Sequence, residues 1–193
     1  MSTALQLPDF LTVDGFLGWD APMGPLWQLV DGTPQAMAPA SPTHAAIQAK
    51  AAALIDSHLT SKGSACFVVA APGVIPRVQS DINMRIPDLA VTCSPALPGD
   101  KALREPVLVI EVLSPSNRAE TWSNVWSYTT IPSVQEILVL HSAAIGADLL
   151  RRGADGSWPE RPLAVEEGEL TLNSIGFIGP IAAFYRNTWL HQA

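Results

Sequence analysis

A mixed α/β domain is what this sequence predicts, and three observations carry the prediction. The first is SPTHAAIQAKAAALIDSHLTSKG, whose apolar residues recur at helical spacing. The second is a series of apolar, largely β-branched runs: ACFVVAAP (65–72), IPDLAVTC (86–93), VLVIEVLS (107–114) and QEILVLHS (135–142). The third is another helical pattern, ETWSNVWSYTTI (120–131), lying between the last two runs. A chain of 193 residues fits one domain over 1–193, with a short helical extension over about 1–20.

Taken in order, LTVDGFLGW (11–19) predicts a short amphipathic helix. In WQLVDGTPQAMAP two strand-like pieces flank Asp31-Gly32, a dipeptide that favours a tight hairpin turn. The long helix is expected over 43–62, capped by Ser41 or Thr43 and ended by Gly63. Ile47, Ala51, Leu54, Ile55, His58 and Leu59 share one face of it. The run at 65–72 reads as a mostly buried strand, and 86–93, 107–114 and 135–142 as further strands. Pro132 stops the second helix. ADLLRRG and ELTLNS predict a terminal meander around the Asp155-Gly156 turn, and PIAAFYRNTW a short helix.

Composition narrows the class. Apolar residues make up 48% of the chain and charged residues 15%, the balance of a globular domain. No apolar run is long enough to span a bilayer. The first residues carry Asp9 and Asp14 and no basic cluster, unlike a secretory signal, so a cytoplasmic protein is expected. Cys66 and Cys93 read as small buried hydrophobes in strands, with no disulfide framework and no zinc site. The net charge is -7, with three lysines and eight arginines. Proteins that hold DNA by its phosphates need basic surface, so strong non-specific binding by a monomer is not expected. A local basic patch or a metal-mediated contact remains compatible with that charge.

Two carboxylates stand out. Asp88 opens one apolar strand, and Glu111 lies inside the next, flanked by Val109, Ile110, Val112 and Leu113. A carboxylate among apolar neighbours on both faces needs a cation, a metal or a raised pKa. Two carboxylates from adjacent strands suit a hard divalent ion such as Mg²⁺ or Mn²⁺, which activates water and neutralises phosphate charge. The plain alternative is that Asp88 caps a turn and Glu111 pairs with Arg85, Arg104 or Arg118.

The order of WQLVDG, SPTH before a helix, RIPDLAV, VLVIEVLSPS, a helix ending in Tyr128, and SVQEILVL resembles the Uma2 (DUF820) family of the PD-(D/E)xK nuclease superfamily, over residues 8 to 190. The resemblance implies a restriction-endonuclease-like fold, a central mixed β-sheet flanked by helices. It implies that Asp88 and Glu111 bind Mg²⁺ or Mn²⁺, with His44 as an additional ligand. It implies catalytic roles for Asp88 and Glu111, and it points to Asn124 and Tyr128 as the residues that position water or phosphate. DNA is the implied substrate, and a homodimer is a compatible assembly.

The sequence departs from the family pattern at two charged residues, the motif lysine and the hairpin glutamate. Leu113 stands where the motif lysine falls two residues after Glu111, and Asn124 stands at the alternative lysine position in the following helix. The hairpin glutamate of the family corresponds to Gln28. Arg118 is the nearest cationic substitute, and Lys50 a more distant one. The sequence therefore supports two functions, a divalent-metal-dependent endonuclease and a catalytically inactive relative acting as a binding module. His58, His141 and His191 read as structural or exposed, and Trp122 and Trp126, one helical turn apart, as packing residues.

Overall fold

The computed structural model describes residues 7–191; residues 1–6 of the expected N-terminal extension lie outside it. Among the described residues no helix is long and apolar enough to cross a membrane.

Helix α1 (Val13–Leu17) is shorter than its sequence pattern, and Thr12 caps it by accepting from the Gly15 amide. Strands β1 (Trp27–Val30) and β2 (Thr33–Ala36) form the expected antiparallel hairpin. Its two-residue turn puts Asp31 at φ 48 and Gly32 at φ 81, and that double left-handed step is what an Asp-Gly pair tolerates. Val13, Leu29 and Met84 bury together and tie α1 to this hairpin.

Helix α2 (Pro42–Ser61) starts one residue earlier than expected, because Ser41 is the cap and Pro42 takes the first turn, where no amide partner is needed. Its buried face is Ile47, Ala51, Ile55 and Leu59. His58 sits at the edge of that face, bonded to the Ile175 carbonyl and edge-on to Phe177. Truncating a residue such as Ile55 to alanine costs about 2–5 kcal/mol.

A six-stranded sheet is the centre of the molecule, in the order β3 (Phe67–Ala70), β4 (Leu89–Thr92), β5 (Pro106–Leu113), β6 (Glu136–His141), β7 (Ala147–Arg151), β8 (Leu163–Val165). All neighbours are antiparallel except β5 and β6, which run parallel. A parallel pair needs a crossover, and α3 (Arg118–Tyr128), entered through a 3₁₀ turn at Pro115–Asn117, supplies it. The second helix therefore begins before 120 and ends at Tyr128 rather than 131. Ser114 and Asn117 organise its start, and the hydroxyls of Thr129 and Thr130 turn back onto the carbonyls of Trp126 and Ser127 at its end.

Alternation along β5 divides the core in two. Leu108, Ile110 and Val112 face α2 and the C-terminal elements, where they meet Ile47, Ile55 and Phe184. Val109 and Leu113 face the other way, with Val125, Tyr128 and Ile137 beneath α3. Glu111 lies on this second face by the same period of two.

Several sequence expectations need correction. The 65–72 segment is a four-residue edge strand, half-buried at most, because only one side of β3 is covered by a neighbour. ADLLRRG joins the central sheet as β7 instead of a separate meander. ELTLNS gives β9 (Glu169–Leu172), which pairs with β10 (Phe177–Pro180) in a two-stranded sheet. PIAAFYRNTW forms a 3₁₀ turn at Ile181–Tyr185 that buries Ile181, Phe184 and Tyr185. The cysteines are not buried strand residues. Cys66 is half-buried just before β3, Cys93 is exposed just after β4, and the two are joined in a disulfide. Register explains the pairing: Phe67 faces Thr92, so the next residues outward face each other.

Candidate active site

Asp88, Glu111, His44, Asn124 and Tyr128 come from four separate segments, and the fold gathers them at one place. Asp88 precedes β4, whose Leu89 pairs with Ile110. Two residues beyond Ile110, the Val112 amide donates to Asp88 Oδ2 at 2.7 Å. The first turn of α2 brings His44 Nε2 to 2.8 Å from Asp88 Oδ1. Gln48, one turn later, donates to the Asp88 carbonyl at 2.9 Å. Asp88 is thus held on both oxygens and through its backbone.

Glu111 is held far more loosely. It is 7% exposed, and its hydrogen-bonded side-chain partner is the Tyr128 hydroxyl, which donates to Oε1 at 2.7 Å. Burial, and then the neighbouring charge of Asp88, push its pKa well above the usual glutamate range, against the opposing pull of the Tyr128 hydrogen bond. Burial and the Glu111 charge likewise raise the Tyr128 phenol well above its ordinary value. The arginine partner considered for Glu111 is not there: no ion pair among the described residues includes it.

On α3 the position expected to replace the lysine is built into an amide chain. Asn124 Nδ2 donates to Gln28 Oε1 at 3.4 Å, and Gln28 Nε2 donates to Glu120 Oε1 at 2.9 Å. Glu120 was missed in the sequence, where it reads as an ordinary first-turn acid of a helix. The signal that links it is its four-residue spacing to Asn124.

These side chains open on a cleft of about 440 Å³, lined by Ser41, His44, Asp88, Glu111, Glu120 and Asn124 among others. Among the described residues its lining holds no lysine or arginine, so neither Arg118 nor Lys50 takes the lysine's place. Tyr128 is fully buried behind the cleft wall. Trp122 and Trp126 lie outside the cleft and pack on each other, centroids 6.1 Å apart.

The donor chemistry fits a hard divalent ion. Two carboxylates repel each other in a desolvated corner, and a cation between them would remove both the repulsion and the cost of ionising Glu111. Among the described residues no three His, Cys, Asp or Glu side chains converge into a complete ligand set. Few protein ligands is the arrangement under which Mg²⁺ keeps much of its own water.

A six-stranded mixed sheet with a helix against either face is a restriction-endonuclease-like fold, and here it sets Asp88 beside Glu111 where β4 pairs with β5. The family model of Uma2, described as "Putative restriction endonuclease", matches residues 13–181, and the chain belongs to that family. A solved structure described as a "putative nuclease belonging to DUF820", from Anabaena variabilis, superposes with a TM-score of 0.72 at 16% identity, covering 91% of this chain and 97% of that one. An uncharacterized protein of Synechocystis sp. is 29% identical over 178 residues, 91% of this chain and 92% of the relative.

Proposed function

We propose that this protein is a divalent-metal-dependent endonuclease that hydrolyses DNA phosphodiester bonds. The observation that carries the reading is the state of Glu111: a buried carboxylate beside a second carboxylate, with a tyrosine as its hydrogen-bonded partner and, among the described residues, no arginine paired with it. Membership of a restriction-endonuclease-like family, whose members generally use divalent metals, supports the same reading.

In this reading Asp88 and Glu111 hold Mg²⁺ or Mn²⁺, and His44, the third ligand the resemblance implies, would have to release Asp88 Oδ1 before its Nε2 could ligate the ion. The ion supplies electrostatic stabilisation to a phosphodiester and acidifies water. The remaining work belongs to the chain. The Val112 amide fixes one Asp88 oxygen and His44 the other, so the carboxylate needs little reorganisation. Tyr128 keeps Glu111 turned toward Asp88. Asn124 and Glu120 form the opposite wall, where a water or a phosphate would be positioned. A cytoplasmic location and a homodimer presenting two such clefts to a duplex complete the proposal.

The test is cleavage of supercoiled and single-stranded DNA with Mn²⁺ or Mg²⁺, by the wild type, Asp88→Ala and Glu111→Gln. Cutting that disappears in both variants is expected. Silence from the wild type with either ion and either substrate would sink the reading for DNA and favour the binding-module alternative.

A further inference from the structure

Arg85 is buried without evident reason. It stands three residues before Asp88, its backbone is bonded in both directions to Val74, and only 6% of its surface meets solvent. Among the described residues its guanidinium enters no ion pair. Among the described residues its Nε is one of two buried side-chain polar atoms left without a hydrogen-bond partner, and the other is Asn124 Oδ1. One is a donor and the other an acceptor. Orphans of this kind are costly, so each needs an explanation.

Position supplies one. Glu120, Asn124 and Tyr128 follow at four-residue intervals, a single row along α3. Leu29 bridges Met84 in antiparallel register, so the next residues, Gln28 and Arg85, fall opposite each other. Gln28 is bonded to both Glu120 and Asn124, so the guanidinium lies beside the row whose middle member is Asn124. The amide chain fixes which atom Asn124 has to spare. Because Glu120 takes the Gln28 amide nitrogen, Gln28 offers its oxygen to Asn124 Nδ2, and Asn124 keeps an unused carbonyl oxygen. An acceptor suits a neighbouring cation, whereas a lysine there would repel it.

We propose that Arg85 is a positioning residue that supplies this site's positive charge from behind the α3 row, and that position 124 is neutral because the charge is already present. Arg85 is absent from the cleft lining and acts through Tyr128, whose hydroxyl holds Glu111. The placement of the charge rests on the cross-strand register and the two orphaned atoms, while its use in cleavage rests on the nuclease reading.

Thermal unfolding of Asn124→Lys and of Asn124→Met, similar in length but uncharged, separates charge from size. The lysine variant is expected to melt at least about 5 °C below the methionine variant. Repeating the pair in an Arg85→Met background, or Arg85→Gln if the first does not fold, should remove most of that gap. A lysine variant as stable as the methionine variant, or a gap that survives loss of Arg85, overturns the proposal. DNA cleavage adds a second readout: Arg85→Met should lower turnover at least about tenfold, and the Arg85→Met, Asn124→Lys double variant should regain part of it. A stability gap that closes while no variant cleaves would uphold the charge placement and reject the nuclease reading.

Discussion

Two buried glutamates lie on neighbouring strands of this sheet, and they are treated in opposite ways. Glu136, at the start of β6, is 1% exposed and bonded on both oxygens: Arg151 Nε and the Asn173 amide to Oε1, the Ser174 amide and hydroxyl to Oε2. Glu111, in the middle of β5, has the Tyr128 hydroxyl and faces another carboxylate. The protein can satisfy a buried carboxylate when it needs one as scaffold. The contrast is what the proposed reading expects of a side chain kept for a cation, since Glu111 has fewer protein donors than Glu136.

The largest effect expected from this contrast is on stability at Glu136. Glu136→Gln should cost about 3 kcal/mol in urea unfolding, because Arg151 and two backbone amides lose their acceptor charge. A cost below about 0.5 kcal/mol would abolish the distinction between the two glutamates.

Glu111→Gln should behave in the reverse sense. In metal-free buffer the native protein holds a proton on Glu111 over a pH range where the unfolded chain has released it. Its contribution is therefore fully present below the ordinary glutamate pKa and is lost as pH rises through the raised folded value. The wild type should lose stability relative to Glu111→Gln over that window, and the difference should vanish at acid pH. Adding Mn²⁺ at a hundred times its dissociation constant should restore about 2.7 kcal/mol to the wild type and nothing to the variant. Equal stabilisation of both would show that the ion binds elsewhere.

Tyr128→Phe sharpens the contrast further by taking away the hydroxyl that donates to Glu111. A loss of about 1.5 kcal/mol and weaker Mn²⁺ binding are expected, read by unfolding and by calorimetry. The smallest effect is at Ser41→Ala. Losing the cap that accepts from the His44 amide should cost about 1 kcal/mol. Cleavage should change little, since His44 reaches Asp88 through its ring.

How legible this was depends on what kind of signal each residue sends. Asp88 and Glu111 announce themselves as charges in apolar strands, and the hairpin and α2 follow from Asp31-Gly32 and from helical spacing. Glu136 is as deeply buried as Glu111, yet its position at a strand entrance reads like an ordinary solvent-facing flank. Its partners, Arg151, Asn173 and Ser174, arrive from distant segments that no local pattern connects. The same reason hides the Gln28–Glu120–Asn124 chain, which joins residues 92 and 96 positions apart. Arg85 reads in the sequence as a partner for Glu111, yet among the described residues no ion pair includes either one, and Tyr128 is the side chain that donates to Glu111. The cysteine expectation failed because strand register, invisible in composition, sets Cys66 against Cys93.

That bond makes a closed ring of the segment from Cys66 to Cys93, 27 positions apart, and Asp88 is carried on the ring. A loop of this length restricts the denatured chain by about 3.5 kcal/mol in the entropy model. Under oxidising conditions the acid at the heart of the cleft is thus delivered by a pre-tethered strand pair. In a reducing cytoplasm the same pair is free at its outer end, and β3 depends on its backbone ladder and on α2 to keep that acid in place.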